Sequence, residues 1–313
     1  MSSSFELFKK QLDGAVSLIE SSSVGEQKST SLPPFLDELE DTKSLLARCE
    51  GLCEKYAADK PIIRIIHHLA CSGGTLFSKC LSAMPNVYLL SEVHPYSQLS
   101  ASRPHFAPSD IAMLSKFAGV PNQKKLAAKV FTNSIKLAYE HVEQCGGTLV
   151  LRDHTHSDFN TESPVPLKSE IVSLLESEYE IKSVLTIRDP LDSFTSLKRN
   201  GWMTFEPQSF DEYCRRLLLL LKQHAPSSIF KYEEFVESPE LIMKKICDAL
   251  ALPYDESFVE TFGVFDVTGD SGRTSDVIGE RIRDIPEALV AESQRSENYE
   301  KICKLMITRE EQK

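Results

Sequence analysis

The sequence has little positive charge. It contains 35 lysine and arginine residues against 46 aspartate and glutamate residues, and its formal net charge at pH 7 is −11. Proteins bind nucleic acids through basic side chains that neutralise backbone phosphates, so this balance argues against a nucleic-acid partner. A local group of basic residues remains compatible with one small anionic ligand.

Long apolar runs and paired cysteines are also missing. No stretch approaches the length needed to span a bilayer, and Met1–Phe5 lacks the basic start and apolar core of a secretory signal. The eight cysteines include no CxxC pair and mostly lie within apolar patterns, which is typical of buried, reduced thiols. We therefore expect a cytoplasmic protein with no membrane span, no disulfide bond and no structural metal.

Residues 1–60 differ from the rest of the chain. Apolar residues recur at helical spacing from Phe5 to Ile19 and from Phe35 to Ala57, with a serine-rich polar interval between the two segments. Two amphipathic helices cannot bury their apolar faces by themselves. We therefore predict a helical N-terminal appendage, residues 1–60, that packs on a main domain of residues 61–313 or else contacts another chain or domain.

From Pro61 onward, strand-like apolar runs alternate with helical patterns. This alternation predicts an α/β fold with a central parallel sheet flanked by helices. The predicted strands cover about residues 62–66, 87–95, 148–154, 181–189 and 228–232. The main predicted helices cover about residues 76–84, 110–118, 125–144, 210–223, 239–250 and 286–306. In sheets of this kind, ligands bind beyond the carboxyl ends of the strands.

The first predicted strand runs into a turn of small residues, Cys71-Ser72-Gly73-Gly74-Thr75, and a helical pattern then begins at Leu76. A strand, a glycine turn and a helix N-terminus together direct backbone N–H groups at an anion, although ordinary turns between strand and helix also use small residues. A Walker A loop would place Gly-Lys-Ser/Thr at its end. Thr75-Leu76-Phe77 follows the second glycine here, which disfavours a kinase or other P-loop NTPase.

Three further strand ends carry residues suited to chemistry. They are Ser91-Glu92-Val93-His94, Arg152-Asp153-His154-Thr155-His156 and Arg188-Asp189-Pro190. Arg188 and Ser196, which lies in the next predicted helix, are spaced to meet one phosphate, and a pairing of Arg188 with Asp189 or Asp192 is equally compatible with the spacing. Because the carboxyl ends of parallel strands lie along one edge, we predict that these segments share a site.

At these residues the sequence resembles the PAPS-dependent sulfotransferases. In that family an Arg-Asp-Pro-x-Asp-x-x-x-Ser segment binds the 3′-phosphate of the nucleotide, and Arg188 and Ser196 match its two binding positions. Residues 69–75 look like the family's 5′-phosphosulfate loop. Residues 230–235, with Pro239 and 250–253, resemble a later family segment. The likeness covers roughly residues 61–283 in the family's order, and it implies a P-loop sulfotransferase-like fold.

The resemblance implies transfer of a sulfuryl group from PAPS (3′-phosphoadenosine 5′-phosphosulfate) to a hydroxyl or amine of a small-molecule acceptor, with adenosine 3′,5′-bisphosphate as product. It assigns the nucleotide to Cys71, Ser72, Gly73, Gly74, Thr75, Leu76, Arg188 and Ser196, and to Arg273 in a late glycine loop. A histidine is the expected base, and His154 is the first candidate, followed by His156 and Glu92. Asp153 is a candidate to orient the imidazole.

Cys71 departs from the family pattern, because the family usually has lysine or arginine at this position. A thiol cannot supply that positive charge. Arg152 is the best-placed cation by sequence, and His67 and His68 are alternative sources. The departure leaves open slow catalysis, a different source of positive charge, or a catalytically degenerate nucleotide-binding or interaction module. A P-loop small-molecule or nucleotide kinase, which would require Mg²⁺ and a lysine at the phosphates, is the separate alternative among enzymes.

The acceptor pocket is expected to be shaped by residues 93–108, 155–166 and 200–212, the last of which includes Trp202. Phe205, Phe210 and Tyr213 suit an apolar or ring-bearing acceptor, and aromatic residues there are as easily explained by packing.

Overall fold

A computed structural model describes residues 60–100, 103, 106–161, 164–269, 277–280 and 284–310 of the chain. The two predicted N-terminal helices and Arg273 lie outside the described residues. The appendage of residues 1–60 and the domain division that it implies therefore stay predictions.

The described part of the chain contains one five-stranded sheet in which every neighbouring pair of strands is parallel. Its strands are β1 (Ile62–His68), β2 (Val87–Val93), β3 (Thr148–Asp153), β4 (Glu180–Ile187) and β5 (Ile229–Lys231), in the spatial order β2-β3-β1-β4-β5. The predicted α/β fold with a central parallel sheet is confirmed.

Helices connect and cover these strands. They are α1 (Gly74–Ser82), α2 (Ile111–Phe117), α3 (Gln123–Gln144), α4 (Thr155–Phe159), α5 (Glu170–Leu175), α6 (Pro190–Arg199), α7 (Phe210–Leu221), α8 (Tyr232–Glu237), α9 (Pro239–Leu250), α10 (Phe258–Thr261), α11 (Glu287–Ser293) and α12 (Glu297–Glu310). No helix in these described ranges combines the length and the apolar character that a bilayer crossing requires.

Strand β1 lies at the centre of the sheet and is buried on both faces, which explains its isoleucine-rich sequence. Ile63 and Ile65 pack with residues of α3 and α5 on one face. Ile66 packs on the other face with residues of α1 and α9. This double burial fixes β1, and with it the loop that leaves its carboxyl end.

The C-terminal region differs from the prediction of one helix over residues 286–306, because two helices, α11 and α12, cover it. The second begins after Ser296, whose Oγ accepts a hydrogen bond from the backbone N–H of Tyr299 at 3.0 Å. A serine in this position satisfies an N–H group that a new helix leaves unpaired. The same hydroxyl donates to Asp211 Oδ1 at 2.5 Å, which ties the break to α7.

Candidate active site

The loop after β1 has an unusual backbone. Cys71 has φ +68° and Gly73 has φ +88°, both in the left-handed region. The N–H groups of Leu76 and Phe77 then donate to the carbonyl of Gly73 at 2.9 and 3.4 Å, which closes the first turn of α1. Residues 71–74 thus bring the N-terminus of a helix to the carboxyl edge of the sheet, as the sequence predicts.

Both glycines of the loop are needed for space. A Cβ atom on Gly73 would lie 2.4 Å from the ring of Tyr232, and one on Gly74 would lie 2.3 Å from the ring of His68. Real Cβ atoms do not approach other heavy atoms this closely. The backbone of the loop therefore packs directly against two side chains, His68 at the end of β1 and Tyr232 just after β5.

Gly73→Ala is expected to lower the free energy of unfolding by about 1–3 kcal/mol, through its positive φ and the contact with Tyr232. Gly119→Ala is the matched control, because Gly119 also has a positive φ, +70°, and has no atom near its Cβ position. Thermal unfolding of both variants separates the two causes. Equal losses in the two variants would contradict a steric role for Gly73.

The loop and the strand ends line one cavity of about 660 Å³. Its walls include most of the residues that the sequence suggested as site residues: Cys71, Gly73, Gly74, Thr75, Leu76, Glu92, Arg152, His154, His156, Arg188 and Ser196. Ser72 is the exception among the described candidates. Its buried hydroxyl donates to the carbonyl of Leu69 at 2.8 Å, so it holds the loop from within.

Glu92 and His154 form a contact pair in this cavity. The register of β2 shifts between Leu90 and Val93, and Glu92 takes φ +58° there. Its Oε2 atom lies 3.2 Å from His154 Nδ1. A carboxylate only accepts hydrogen bonds, so a neutral His154 ring that carries its hydrogen on Nδ1, towards Glu92, presents Nε2 as an acceptor. Burial lowers the pKa of His154 below its ordinary value, which favours the neutral ring that a base requires.

Arg152 holds the other oxygen of the same carboxylate, with Nη2 at 2.5 Å from Glu92 Oε1. Burial raises the pKa of Glu92, and the positive charge of Arg152 opposes that rise. Arg152 therefore favours the ionised carboxylate that His154 Nδ1 faces.

Asp153 does not contact the ring of His154 as the sequence suggested. Its buried Oδ2 atom accepts hydrogen bonds from His67 Nδ1 at 2.8 Å and from Thr155 Oγ1 at 2.9 Å. Successive side chains of a strand point to opposite faces, so Asp153 points away from the face that Arg152 uses. Glu92 contacts the His154 imidazole instead.

His156 is the second imidazole in the cavity wall, with its ring centroid 6.1 Å from that of His154. Burial lowers the pKa of His156 to about 4, so this ring is neutral at pH 7. Its Nδ1 atom lies 3.4 Å from the Asn160 side-chain amide. His156 thus faces an amide where His154 faces a carboxylate.

Arg188 and Ser196 line the cavity from the region of β4 and α6. Asp189 begins α6 by accepting hydrogen bonds from the N–H groups of Leu191 and Asp192 at 2.8 and 3.2 Å. Arg188 Nη2 donates to Asp192 Oδ2 at 3.1 Å, and its guanidinium lies 5.1 Å from the centroid of the Tyr232 ring. The aspartate and the ring together hold the guanidinium at the cavity wall.

The hydroxyl of Ser196 is buried and has no hydrogen-bond partner among the described residues. Buried polar atoms are nearly always paired, so an unpaired one at a cavity wall marks a place where a ligand oxygen fits.

The part of the cavity wall that follows α6 includes Asn200, Trp202 and Thr204. The predicted contribution of Trp202 to a pocket agrees with this wall. Phe205, Phe210 and Tyr213 are instead fully buried in a core with residues of α6 and α7. Tyr232 also lines the cavity, and the apolar periodicity of the sequence did not indicate this. Its only signal was its position in the segment 230–235, which resembles the sulfotransferases.

The described residues contain no group of three or more histidine, cysteine, aspartate or glutamate side chains arranged to hold a metal ion. A glycine loop at a helix N-terminus, two arginines at strand ends and a carboxylate–histidine pair therefore meet in one cavity. Such an arrangement suits a transferase that acts on an anionic ligand.

The comparisons with known proteins identify the family. The profile of the Sulfotransferase family matches residues 65–256, which is more than half of the chain. The chain belongs to this family and is a PAPS-dependent transferase. This confirms the resemblance found in the sequence.

Two solved sulfotransferase structures are similar to this chain. The "Sulfotransferase Domain from the Curacin Biosynthetic Pathway" has 15% sequence identity and a TM-score of 0.47, over 80% of this chain and 98% of that one. Mouse sulfotransferase SULT7A1 complexed with PAP has 10% identity and a TM-score of 0.40, over 79% of this chain and 88% of that one. A search of curated proteins found no match.

Proposed function

We propose that this protein transfers a sulfuryl group from PAPS to a hydroxyl or amine of a small-molecule acceptor and releases adenosine 3′,5′-bisphosphate. One observation carries the proposal: a single cavity joins the anion-binding loop, the Arg188–Ser196 pair and the Glu92–His154 pair. Sulfuryl transfer needs these parts, namely a place for the nucleotide's charged groups and a base beside it.

The described residues fit the nucleotide at both ends. Gly74 and Thr75 begin α1 and offer two backbone N–H groups and the Thr75 hydroxyl to an anion, which suits the 5′-phosphosulfate. The N–H of Leu76 is already used inside the loop, by the carbonyl of Gly73. Arg188 and the unpaired hydroxyl of Ser196 suit the 3′-phosphate. PAPS supplies the activated sulfuryl group.

The chain itself supplies the proton transfer. His154 Nε2 takes the proton of the acceptor hydroxyl or amine, and Glu92 stabilises the imidazolium that forms through its contact with Nδ1. Trp202, Asn200 and Thr204 form the neutral wall of the cavity, against which a small acceptor is held.

The direct test is calorimetric titration with adenosine 3′,5′-bisphosphate, ADP and ATP, each with and without Mg²⁺. The proposal expects metal-independent binding of the bisphosphate and its displacement by PAPS. A preference for ATP with Mg²⁺ would contradict it in favour of a kinase, and binding of none of the three would favour a degenerate module. Transfer of ³⁵S from PAPS to a panel of alcohols and amines then identifies the acceptor.

Ser196→Ala is expected to weaken binding of the bisphosphate roughly 10- to 100-fold, which is the size of one hydrogen bond to a charged group. The free energy of unfolding should stay the same or rise slightly, because the variant removes a buried hydroxyl that lacks a protein partner. Ser193→Ala is the matched control, since Ser193 is buried in the same helix and does not line the cavity. Equal affinity in both variants would argue against a ligand contact at Ser196.

A further inference from the structure

Arg152 is a nearly buried cation, 2% exposed, that lines the cavity from the end of β3. Its Nε donates to His68 Nε2 at 2.6 Å, and its Nη1 donates to the carbonyl of Thr268 at 3.1 Å. Its Nη2 lies 3.4 Å from Thr75 Oγ1, in the first turn of α1. The guanidinium is therefore fixed beside the anion-binding loop by three separate segments of the chain.

His68 lies between a group that can only donate and a group that can only accept. Its Nε2 receives the Nε–H of Arg152, and its Nδ1 lies 3.0 Å from the carbonyl of Leu69. Nδ1 thus carries the hydrogen, and the ring has no site left for a second proton. Burial, followed by the charge of Arg152, lowers the pKa of His68 to about 3. His68 is neutral, so it is not the substitute cation that the sequence suggested as an alternative.

His67, the other histidine considered for that role, bonds the buried Asp153 carboxylate and does not line the cavity. Arg152 is thus the one of the three sequence candidates that combines a permanent charge with a place in the cavity wall.

The loop, His68 and Arg152 form one hydrogen-bonded unit. The carbonyl of Leu69 receives His68 Nδ1 and the hydroxyl of Ser72, and Gly74 packs directly on the His68 ring. The hydroxyl of Thr75 accepts from Arg152, which leaves its own hydrogen to be donated to a ligand. The Arg152 guanidinium therefore interacts with the loop through its hydrogen bond to Thr75.

We propose that Arg152 supplies the 5′ end of the nucleotide with the positive charge that Cys71 lacks, and that neutral His68 is the positioning residue that holds Arg152 there. The inference rests on the proposed function, since it assigns a cation to the nucleotide of that reaction. Glu92 lies 2.5 Å from the same guanidinium, and its negative charge offsets part of the attraction for an anion.

The test compares adenosine 3′,5′-bisphosphate with adenosine 3′-monophosphate by calorimetry, because the two ligands differ only at the 5′ end. Arg152→Gln should weaken bisphosphate binding roughly 10- to 100-fold, because it removes a buried positive charge beside the loop, and leave monophosphate binding within about twofold. Glu92→Gln should strengthen bisphosphate binding, because it removes the negative charge beside Arg152. A merely structural role for the cluster would make both variants bind more weakly.

His68 is tested by two variants with the same ligands. His68→Leu removes the acceptor for Arg152 Nε and should weaken bisphosphate binding selectively. His68→Gln keeps a side-chain acceptor and should restore a large part of the affinity. If Arg152→Gln does not fold, His68→Leu, His68→Gln and Glu92→Gln decide the question, because all three retain the arginine.

Arg216→Gln is the matched control for loss of a buried arginine. Arg216 is 5% exposed, pairs with Glu212 at 2.7 Å and does not line the cavity. If Arg152→Gln weakens both ligands equally, weakens neither, or only matches Arg216→Gln, the inference is overturned while the proposed function survives. If the wild-type protein binds neither ligand, both are overturned.

Discussion

Replacing His154 with glutamine is expected to lower the rate of sulfuryl transfer from PAPS by about 10²–10⁴-fold, the usual contribution of a positioned general base. Glutamine keeps much of the size of the ring but cannot take a proton. Binding of adenosine 3′,5′-bisphosphate should stay within about twofold of wild type, because the base acts on the acceptor and not on the nucleotide. Initial rates of ³⁵S transfer and calorimetry measure the two quantities separately.

His156→Gln is the control for this prediction, since His156 is also a neutral imidazole in the cavity wall. It faces the Asn160 amide and lacks a carboxylate partner, so we expect a loss below about tenfold, short of a general base's usual contribution. If His156→Gln lowered the rate of sulfuryl transfer more than His154→Gln, His156 would be the base. If Glu92→Gln abolished sulfuryl transfer and His154→Gln had only a mild effect, Glu92 would be the base.

The pH dependence of transfer follows from the same group. His154 must be neutral to act as a base, and burial, its largest influence, lowers its pKa below the ordinary histidine value. The charges of His94 and Arg152 lower the pKa further, while those of Asp153 and Asp158 oppose the shift. Transfer should therefore be near its plateau at pH 7 and fall as the pH drops through the lowered pKa. A rate that still rises steeply above pH 7 would contradict this assignment.

Arg188→Ala is expected to weaken binding of adenosine 3′,5′-bisphosphate by roughly 30- to 300-fold, because a guanidinium contributes charge-assisted, often paired hydrogen bonds to a phosphate. Binding of adenosine 5′-monophosphate should change little, since it lacks the 3′-phosphate. The variant leaves Asp192 without this arginine, and Asp192 is 22% exposed, so water can solvate the carboxylate. Calorimetry with both nucleotides measures the difference.

Arg199→Ala is the control for Arg188→Ala, because Arg199 lies in the same helical region, is exposed and does not line the cavity. Its removal changes the net charge equally and should leave bisphosphate binding near the wild-type value. A similar loss of bisphosphate affinity in both variants would mean that long-range electrostatics, and not a direct contact, explains the effect of Arg188→Ala. Equal weakening of both nucleotides in Arg188→Ala would contradict a contact with the 3′-phosphate.

Elements with local signals could be predicted from the amino-acid sequence. The isoleucine-rich run at 62–66 predicted the central strand, because burial on both faces requires continuous apolar residues. The glycine turn predicted the loop, because only small residues permit backbone this close to Tyr232 and His68. The Arg188–Ser196 segment predicted two residues on one cavity wall, because a strand end and the next helix fix their separation. The cap at Ser296 was missed, although the polar run of residues 292–298 interrupts the apolar pattern there and was the signal for a break.

Tertiary structure alone decided the contacts between strand ends. The order β2-β3-β1 places Glu92, His154 and His68 on adjacent strands or just beyond them, and no local pattern encodes which parallel strands become neighbours. The strand irregularity and positive φ at Glu92 bring its carboxylate to His154, a contact that the sequence had given to Asp153. The neutral state of His68 likewise follows from burial between Arg152 and the carbonyl of Leu69. Charge state and partner choice depend on what surrounds a group, and those surroundings exist only in the folded chain.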